Sequence, residues 1–246
     1  MFKSNKPPRP QFQGSGTITS VVIQKTDPER VNIFLDGAYA FSLTAILSAE
    51  QRLIAGKSLD ADAVAKLQSA DLYHRALSSA LNMLSRRAHT EAEIRNKLKR
   101  AYPEISTSTI ERVIVRLKEL KYLDDGEFAR MWVQSRTSYA PRGRLLIKRE
   151  LSAKGVKEEQ IEEAVNNVLA TPQENDDGEE RTLEEQQALE LARRKARSLS
   201  GEDWAGFYRK LGGFLARRGY NFSIIKEVVR EAWKEIKEES SGEDLE

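Results

Sequence analysis

The sequence predicts a mostly α protein: three tandem three-helix repeats in an extended curved array, preceded by a small N-terminal β meander. Three observations carry this prediction. Helix-period apolar stripes dominate from about residue 44 onward. Only one early segment is rich in β-branched residues at alternating spacing. And one unit of sequence recurs three times along the chain.

Composition sets the outer bounds. A chain of 246 residues accommodates one large domain or several small ones. With 32% charged and 7% aromatic residues, small helical units with wide solvated faces are favoured over one thick core. The absence of cysteine excludes a disulfide scaffold, a thiolate metal site and a cysteine nucleophile. Two histidines leave little room for a His-rich metal site, and no cofactor is expected. No apolar run reaches the roughly 20 residues that span a bilayer. The segment MFKSNKPPRPQFQGSG is basic but has no apolar stretch of the kind a secretory signal needs. A cytoplasmic protein is expected.

Residues 1–16 contain Pro7, Pro8, Pro10, Gly14 and Gly16 and read as a disordered leader. The meander is expected over 17–43. Ile18–Ile23 forms its first strand, Asp27-Pro28-Glu29-Arg30 a turn, and Val31, Ile33 and Leu35 alternate along the second strand. Asp36-Gly37 suits a tight hairpin, because glycine tolerates positive φ. Tyr39, Phe41 and Leu43 alternate again. A meander this small needs a helix to pack on.

Connecting helices are expected over 44–71, with Asp60 capping a helix that continues through Leu72, Ala76, Ala80 and Leu84. Thr90-Glu91-Ala92-Glu93 reads as a capping box, and Ser108-Thr109-Ile110-Glu111 as a second. Asp124 sits as an N-cap three residues before Glu127. Gly155 stands where the helix ending in ELSAK needs a left-handed terminator.

The repeat aligns KLKRAYPEISTSTIERVI from Lys97, ELSAKGVKEEQIEEAV from Glu150 and FLARRGYNFSIIKEVV from Phe214. Each copy has a leucine (Leu98, Leu151, Leu215), a break near Tyr102, Val156 or Tyr220, and an isoleucine opening a new helix (Ile110, Ile161, Ile225). The expected repeats cover 72–121, 122–170 and 183–237. Between the last two lies TPQENDDGEERTLEE, with seven acids against one base, read as an acidic flexible linker over 171–182. An acidic disordered tail is expected over 238–246. Stacked repeats offer a long binding surface rather than a pocket.

These residues resemble the RecX family, regulators of the bacterial recombinase RecA. The resemblance rests on LSRRAHTEAEIRNKL from Leu84, LKELKYLDDGEFARMWVQSR from Leu117, the segment from Arg142-Gly143-Arg144 to Val156, and FLARRGYNFSIIKEVV. The segment around Tyr122-Leu123-Asp124-Asp125 is the most specific, and the resemblance covers roughly residues 72 to 236. It departs where the family turn commonly carries Asn-Asp, and in the Pro-rich leader and acidic insertion. The resemblance implies no enzyme. It implies binding to RecA, as monomer or filament on single-stranded DNA, and restraint of ATPase, strand exchange and filament growth.

For contact, a basic surface is the candidate. From Leu84 to Lys154 there are 17 Lys/Arg against 9 Asp/Glu. Arg136, Arg142, Arg144, Lys148 and Arg149 precede Glu150 without an intervening acid, and Lys154 follows. Arg144 and Lys148 are four apart on one helix and project together. Phosphate or an acidic protein groove would attract such a face. The plain alternative is a solvated helix face. Arg193, Arg194, Lys195 and Arg197 form a weaker second cluster, which can pair with the acidic insertion. Tyr122, Phe128 and Trp132 fall at helical spacing and read as core. His74 and His89 have no partner at ligand spacing. The expected partners are RecA and, weakly and without sequence preference, single-stranded DNA. No membrane partner is expected, and the chain is expected to be a monomer. A stand-alone helix-turn-helix-like DNA-binding regulator is the competing reading.

Overall fold

The computed structural model describes residues 12–138, 141–174 and 180–243. Strands β1 (Gly16–Ile23), β2 (Arg30–Leu35) and β3 (Ala38–Thr44) form the antiparallel meander. Its tight turn is made by Asp36 and Gly37, at φ 50° and 78°. Alternation sends Ile18, Val31, Ile33, Leu35, Phe41 and Leu43 to one buried face. Helix α1 (Ala45–Glu50) and the start of α2 (Ala61–Leu84) cover that face with Leu47, Val64 and Leu67. Asp71 of α2 pins the packing. Its buried carboxylate accepts from the Thr44 amide at 2.8 Å and pairs with Arg30 at 3.3 Å.

The sheet has one strand more than the sequence suggests. The two-residue β4 (Ser58–Leu59) pairs with Gly16 and Thr17 on the outer edge of β1. Two residues are too few to register as an alternating pattern. Residues 1–11 of the expected leader lie outside the described residues; Phe12 packs against the sheet core.

Asp60 caps α2 through the Ala63 amide at 2.7 Å. The expected boundary at residue 72 falls inside this one helix. Helices α3 (Glu91–Ala101) and α4 (Thr107–Glu119) follow. The α4 cap is Ser106, whose hydroxyl accepts from the Thr109 amide at 3.1 Å, two residues before the expected box. Starting there buries Thr109 and Ile110 on the inner face. A second group comprises α5 (Asp125–Ser138), α6 (Arg144–Ala153) and α7 (Glu158–Leu169). A third comprises α8 (Leu183–Ala196), α9 (Trp204–Arg217) and α10 (Phe222–Glu243). The aligned residues occupy matching interior positions: Leu98, Leu151 and Leu215 on the middle helices, Ile110, Ile161 and Ile225 on the last ones, all buried.

Two segments read as flexible take up structure. In the acidic insertion, β5 (Pro172–Glu174) pairs antiparallel with β6 (Glu180–Thr182). Thr182 closes this hairpin onto α8 through a capping box with Glu185. Residues 238–243 of the expected tail continue α10.

Contacts divide the chain into two compact units. The first takes residues up to Arg87 together with Arg95–Tyr122; the second takes Ala88–Ile94 together with Leu123 onward. The first turn of α3 therefore belongs with the second unit.

Helices α6 and α9 both end in a left-handed glycine, Gly155 at φ 80° and Gly219 at φ 88°. At Gly219 an added Cβ would lie 2.5 Å from the Leu146 amide nitrogen, whereas at Gly56 (φ 89°) it would meet open space. Gly56→Ala should therefore cost only the backbone strain, about 1 kcal/mol. Gly219→Ala adds a clash with backbone and should cost on the order of 3 kcal/mol. Denaturant unfolding of the two variants checks this; equal losses would show that the contact adds nothing.

Candidate functional site

The structure places five of the six predicted basic residues of the middle repeat in ion pairs. Glu150 of α6 is a hub: its Oε2 accepts from Arg136 Nε and from Trp132 Nε1, each at 2.9 Å, and Arg142 pairs with its Oε1. The Arg136 guanidinium lies 4.2 Å from the Trp132 ring centroid and the Lys154 ammonium 4.5 Å from it. Phe128 stacks on the same indole at 5.8 Å. Lys148 pairs with Glu162 of α7, whose carboxyl it holds below the ordinary carboxylate range by hydrogen bonding. Lys154 pairs with Glu93 at 2.9 Å, and Arg144 with Glu184 at 2.7 Å. Arg149 alone of these six is exposed and without an ion pair among the described residues. The acid-free run in sequence is thus not acid-free in space. Except for Glu150, the compensating carboxylates come from other parts of the chain.

The second cluster divides in the same way. Arg193 is held by Glu235 at 2.6 Å and by Glu231 at 3.5 Å. Among the described residues its partners are acids of α10. The Glu235 hydrogen bond raises the already high guanidinium pKa. Arg194, Lys195 and Arg197 form no ion pair among the described residues; Arg194 and Arg197 are exposed, and Lys195 is half-buried.

Tyr122 departs from its core assignment and is 60% exposed. Lys121 turns left-handed at φ 58° where α4 ends, and this delivers Leu123, not Tyr122, to the interior. Phe128 is buried and Trp132 half-buried, as core residues. Among the described residues, no three His, Asp or Glu side chains are grouped to hold a metal ion, and no helix is long and apolar enough to cross a membrane.

What Arg144 and Lys154 do share is a joint between helix ends. The first amides of any α-helix lack partners within the helix. At α3, the first of these (Glu91 N–H) donates to Asp125 Oδ1 at 2.9 Å, and Asp125 stands in the first turn of α5. At α6, the first (Arg144 N–H) donates to Glu184 Oε1 at 2.8 Å, and Glu184 stands in the first turn of α8. Each of these two middle helices is capped by a carboxylate from the helix that opens the next repeat. Each start also meets the end of the next middle helix. The Thr90 hydroxyl donates to the Lys154 carbonyl at 2.7 Å, and the Gly143 amide donates to the Arg218 carbonyl at 2.9 Å. These carbonyls are the C-caps of α6 and α9, and both are followed by the left-handed glycine. Asp124, by contrast, caps its own helix through the Gly126 and Glu127 amides. At α9 the pattern stops, and its own Asp203 caps it through the Gly206 amide at 2.8 Å.

Family comparisons match this architecture domain by domain. The description "Regulatory protein RecX N-terminal domain" matches residues 16–60, and the first, second and third three-helix domains of RecX match 76–117, 124–165 and 183–229. A Regulatory protein RecX from Clostridium botulinum (strain Eklund 17B / Type B) is 34% identical over 87% of this chain and 95% of its own length. The chain belongs to the RecX family. A RecX from Bacillus subtilis (strain 168) is 32% identical over 93% of this chain and 81% of its own. A crystal structure of regulatory protein RecX superposes with a TM-score of 0.66 at 26% identity, covering 86% of this chain and 98% of that one. RecX from Lactobacillus salivarius, at 24% identity and a TM-score of 0.58 over 66% of this chain and 97% of that one, shares the fold.

Two outcomes follow from the pairing. Arg144→Met removes the cation from a carboxylate that is 1% exposed and should cost about 3 kcal/mol, whereas Arg149→Met should stay within about 0.5 kcal/mol. Urea unfolding distinguishes them, and equal effects would contradict the assignment. The buried Tyr220 hydroxyl has no hydrogen-bond partner among the described residues. Burial, with the Glu184 charge adding to it, pushes its ionisation well above the ordinary phenol range. Tyr220→Phe removes an unsatisfied group and should be neutral or stabilising. A loss above about 1 kcal/mol would reveal a partner for that hydroxyl.

Proposed function

We propose that this chain modulates the recombinase RecA, in the inhibitory direction, by binding RecA as monomer or as filament on single-stranded DNA. Binding restrains ATP hydrolysis, strand exchange and filament growth. The observation that carries this reading is the match to all four RecX domains in chain order, from the sheet through the third repeat. The ion-pair accounting supports a narrower contact set than the sequence suggests. Arg149, Arg194, Lys195 and Arg197 keep charges not paired within the described residues, suited to an acidic protein groove or to phosphate. Arg136, Arg142, Arg144, Lys148 and Lys154 serve first as internal cross-links. Reversing Arg144 would place like charge against buried Glu184 and test folding rather than binding.

Contacts spread over repeats mean that single exposed substitutions each cost little, so a combined variant is the informative one. RecA ATP hydrolysis on single-stranded DNA should fall as this protein is titrated toward the RecA concentration. A flat rate contradicts the reading. The combined variant Arg149→Glu, Arg194→Glu, Arg197→Glu should retain its helical circular dichroism and lose roughly tenfold or more in potency. Full potency in that folded variant removes these residues from the contact. Binding to DNA alone should be weak, salt-sensitive and indifferent to sequence. Preference for one duplex sequence would favour the helix-turn-helix-like regulator instead.

A further inference from the structure

We propose that Glu184 is a positioning residue: by capping α6 of the second repeat from the first turn of α8, it fixes the direction in which the third repeat leaves the second. Four observations lead to this. First, three consecutive amides at the start of α6 are answered from the third repeat: Gly143 by the Arg218 carbonyl at 2.9 Å, Arg144 by Glu184 Oε1 at 2.8 Å, and Leu145 by the Gly219 carbonyl at 3.1 Å. Of these acceptors only Glu184 carries a charge, and charge-assisted hydrogen bonds are the stronger ones. Second, both of its oxygens are engaged by one residue, Oε1 by the Arg144 amide and Oε2 by Arg144 Nε at 2.7 Å. A carboxylate held at two points has little freedom to swing. Third, Glu184 is 1% exposed, and in the closed joint Arg144 is the cation that compensates the burial of its charge. Fourth, the neighbouring contacts are glycine-lined backbone approaches. A Cβ at Gly143 would lie 2.3 Å from the Gly219 oxygen, and one at Gly219 would lie 2.4 Å from the Leu146 Cβ. Beside these approaches, α8 reaches the second repeat through the side chains of Glu184 and of Gln187, whose Nε2 donates to the Thr137 carbonyl at 3.1 Å, and of the two only Glu184 brings a charge.

The core of the third repeat does not depend on this contact. It is built from Leu189, Leu191, Phe207, Leu211, Val229 and their neighbours on α8, α9 and α10. The second repeat has its own core, with Ile147, Leu151, Ile161 and Val165. Removing the carboxylate should therefore release the direction between two folded bodies rather than unfold either.

The chain has no cysteine, so spin labels at Ser152→Cys and Glu227→Cys, both exposed, report one distance between the two repeats in the full-length protein. The parent should give a single narrow distance distribution. Glu184→Ala should broaden it at unchanged helical circular dichroism. Glu184→Gln keeps an acceptor for the Arg144 amide but loses the charge, and should broaden it less. A narrow distribution in all three proteins, or a broad one in the parent, would overturn the proposal. So would loss of helicity in both variants, because Glu184 would then hold a core and not a direction.

Discussion

The structure of the second unit depends on how helix ends are satisfied. Every α-helix starts with amides that have no partner of its own, and burying them without acceptors is costly. Here two short middle helices pass their first amide to the next repeat, while Thr90 still caps the Glu93 amide of α3 at 3.2 Å. Asp125 answers α3 and Glu184 answers α6. In return, the C-cap carbonyls of α6 and α9 take donors from the helix starts they meet. Two polar deficits that would each be destabilising alone cancel where they meet. The left-handed glycines follow from the same constraint, because only a residue without a Cβ lets the chain turn away while its backbone stays in contact.

This exchange assigns the charged residues their tasks. Much of the positive charge of the middle repeat is committed internally: Glu150 gathers Arg136, Arg142 and the Trp132 indole, Glu162 takes Lys148, and Glu93 takes Lys154. Cations over the Trp132 ring add to the same network. The charges of the two clusters that are not paired among the described residues are fewer, with Arg149 on α6 and Arg194, Lys195 and Arg197 at the end of α8 and just beyond it. A basic stretch in sequence marks where cations are made, and only the fold says which of them are spent.

Much of the fold was legible in the sequence for identifiable reasons. The meander declared itself through alternation and through Asp36-Gly37, where two consecutive positive φ angles are needed. The repeat declared itself through leucine and isoleucine positions that all prove buried. Asp60, Asp124 and Gly155 were readable because caps and terminators are local chemistry. What escaped was non-local or too short. β4 has two residues and pairs across a long separation with Gly16 and Thr17. The acidic hairpin forms because its strands pair with each other, which net charge does not reveal. Ser106 won the α4 cap over Ser108 because the register from Ser106 buries Thr109 and Ile110. The candidate site was the least legible part. Glu93, Glu162 and Glu184 lie far along the chain from the cations they neutralise, and Tyr122 faces outward because Lys121 turns left-handed just before it.

The most direct measurement of the central claim is amide hydrogen exchange at the starts of α3 and α6 in the unmodified protein. Helix-start amides ordinarily face water and exchange fast. Bonded across the joint, the amides of Glu91, Gly143, Arg144 and Leu145 should exchange as slowly as interior amides such as those of Ile147 and Leu151. Exchange at the rate of open, solvated amides at these four positions would contradict the account.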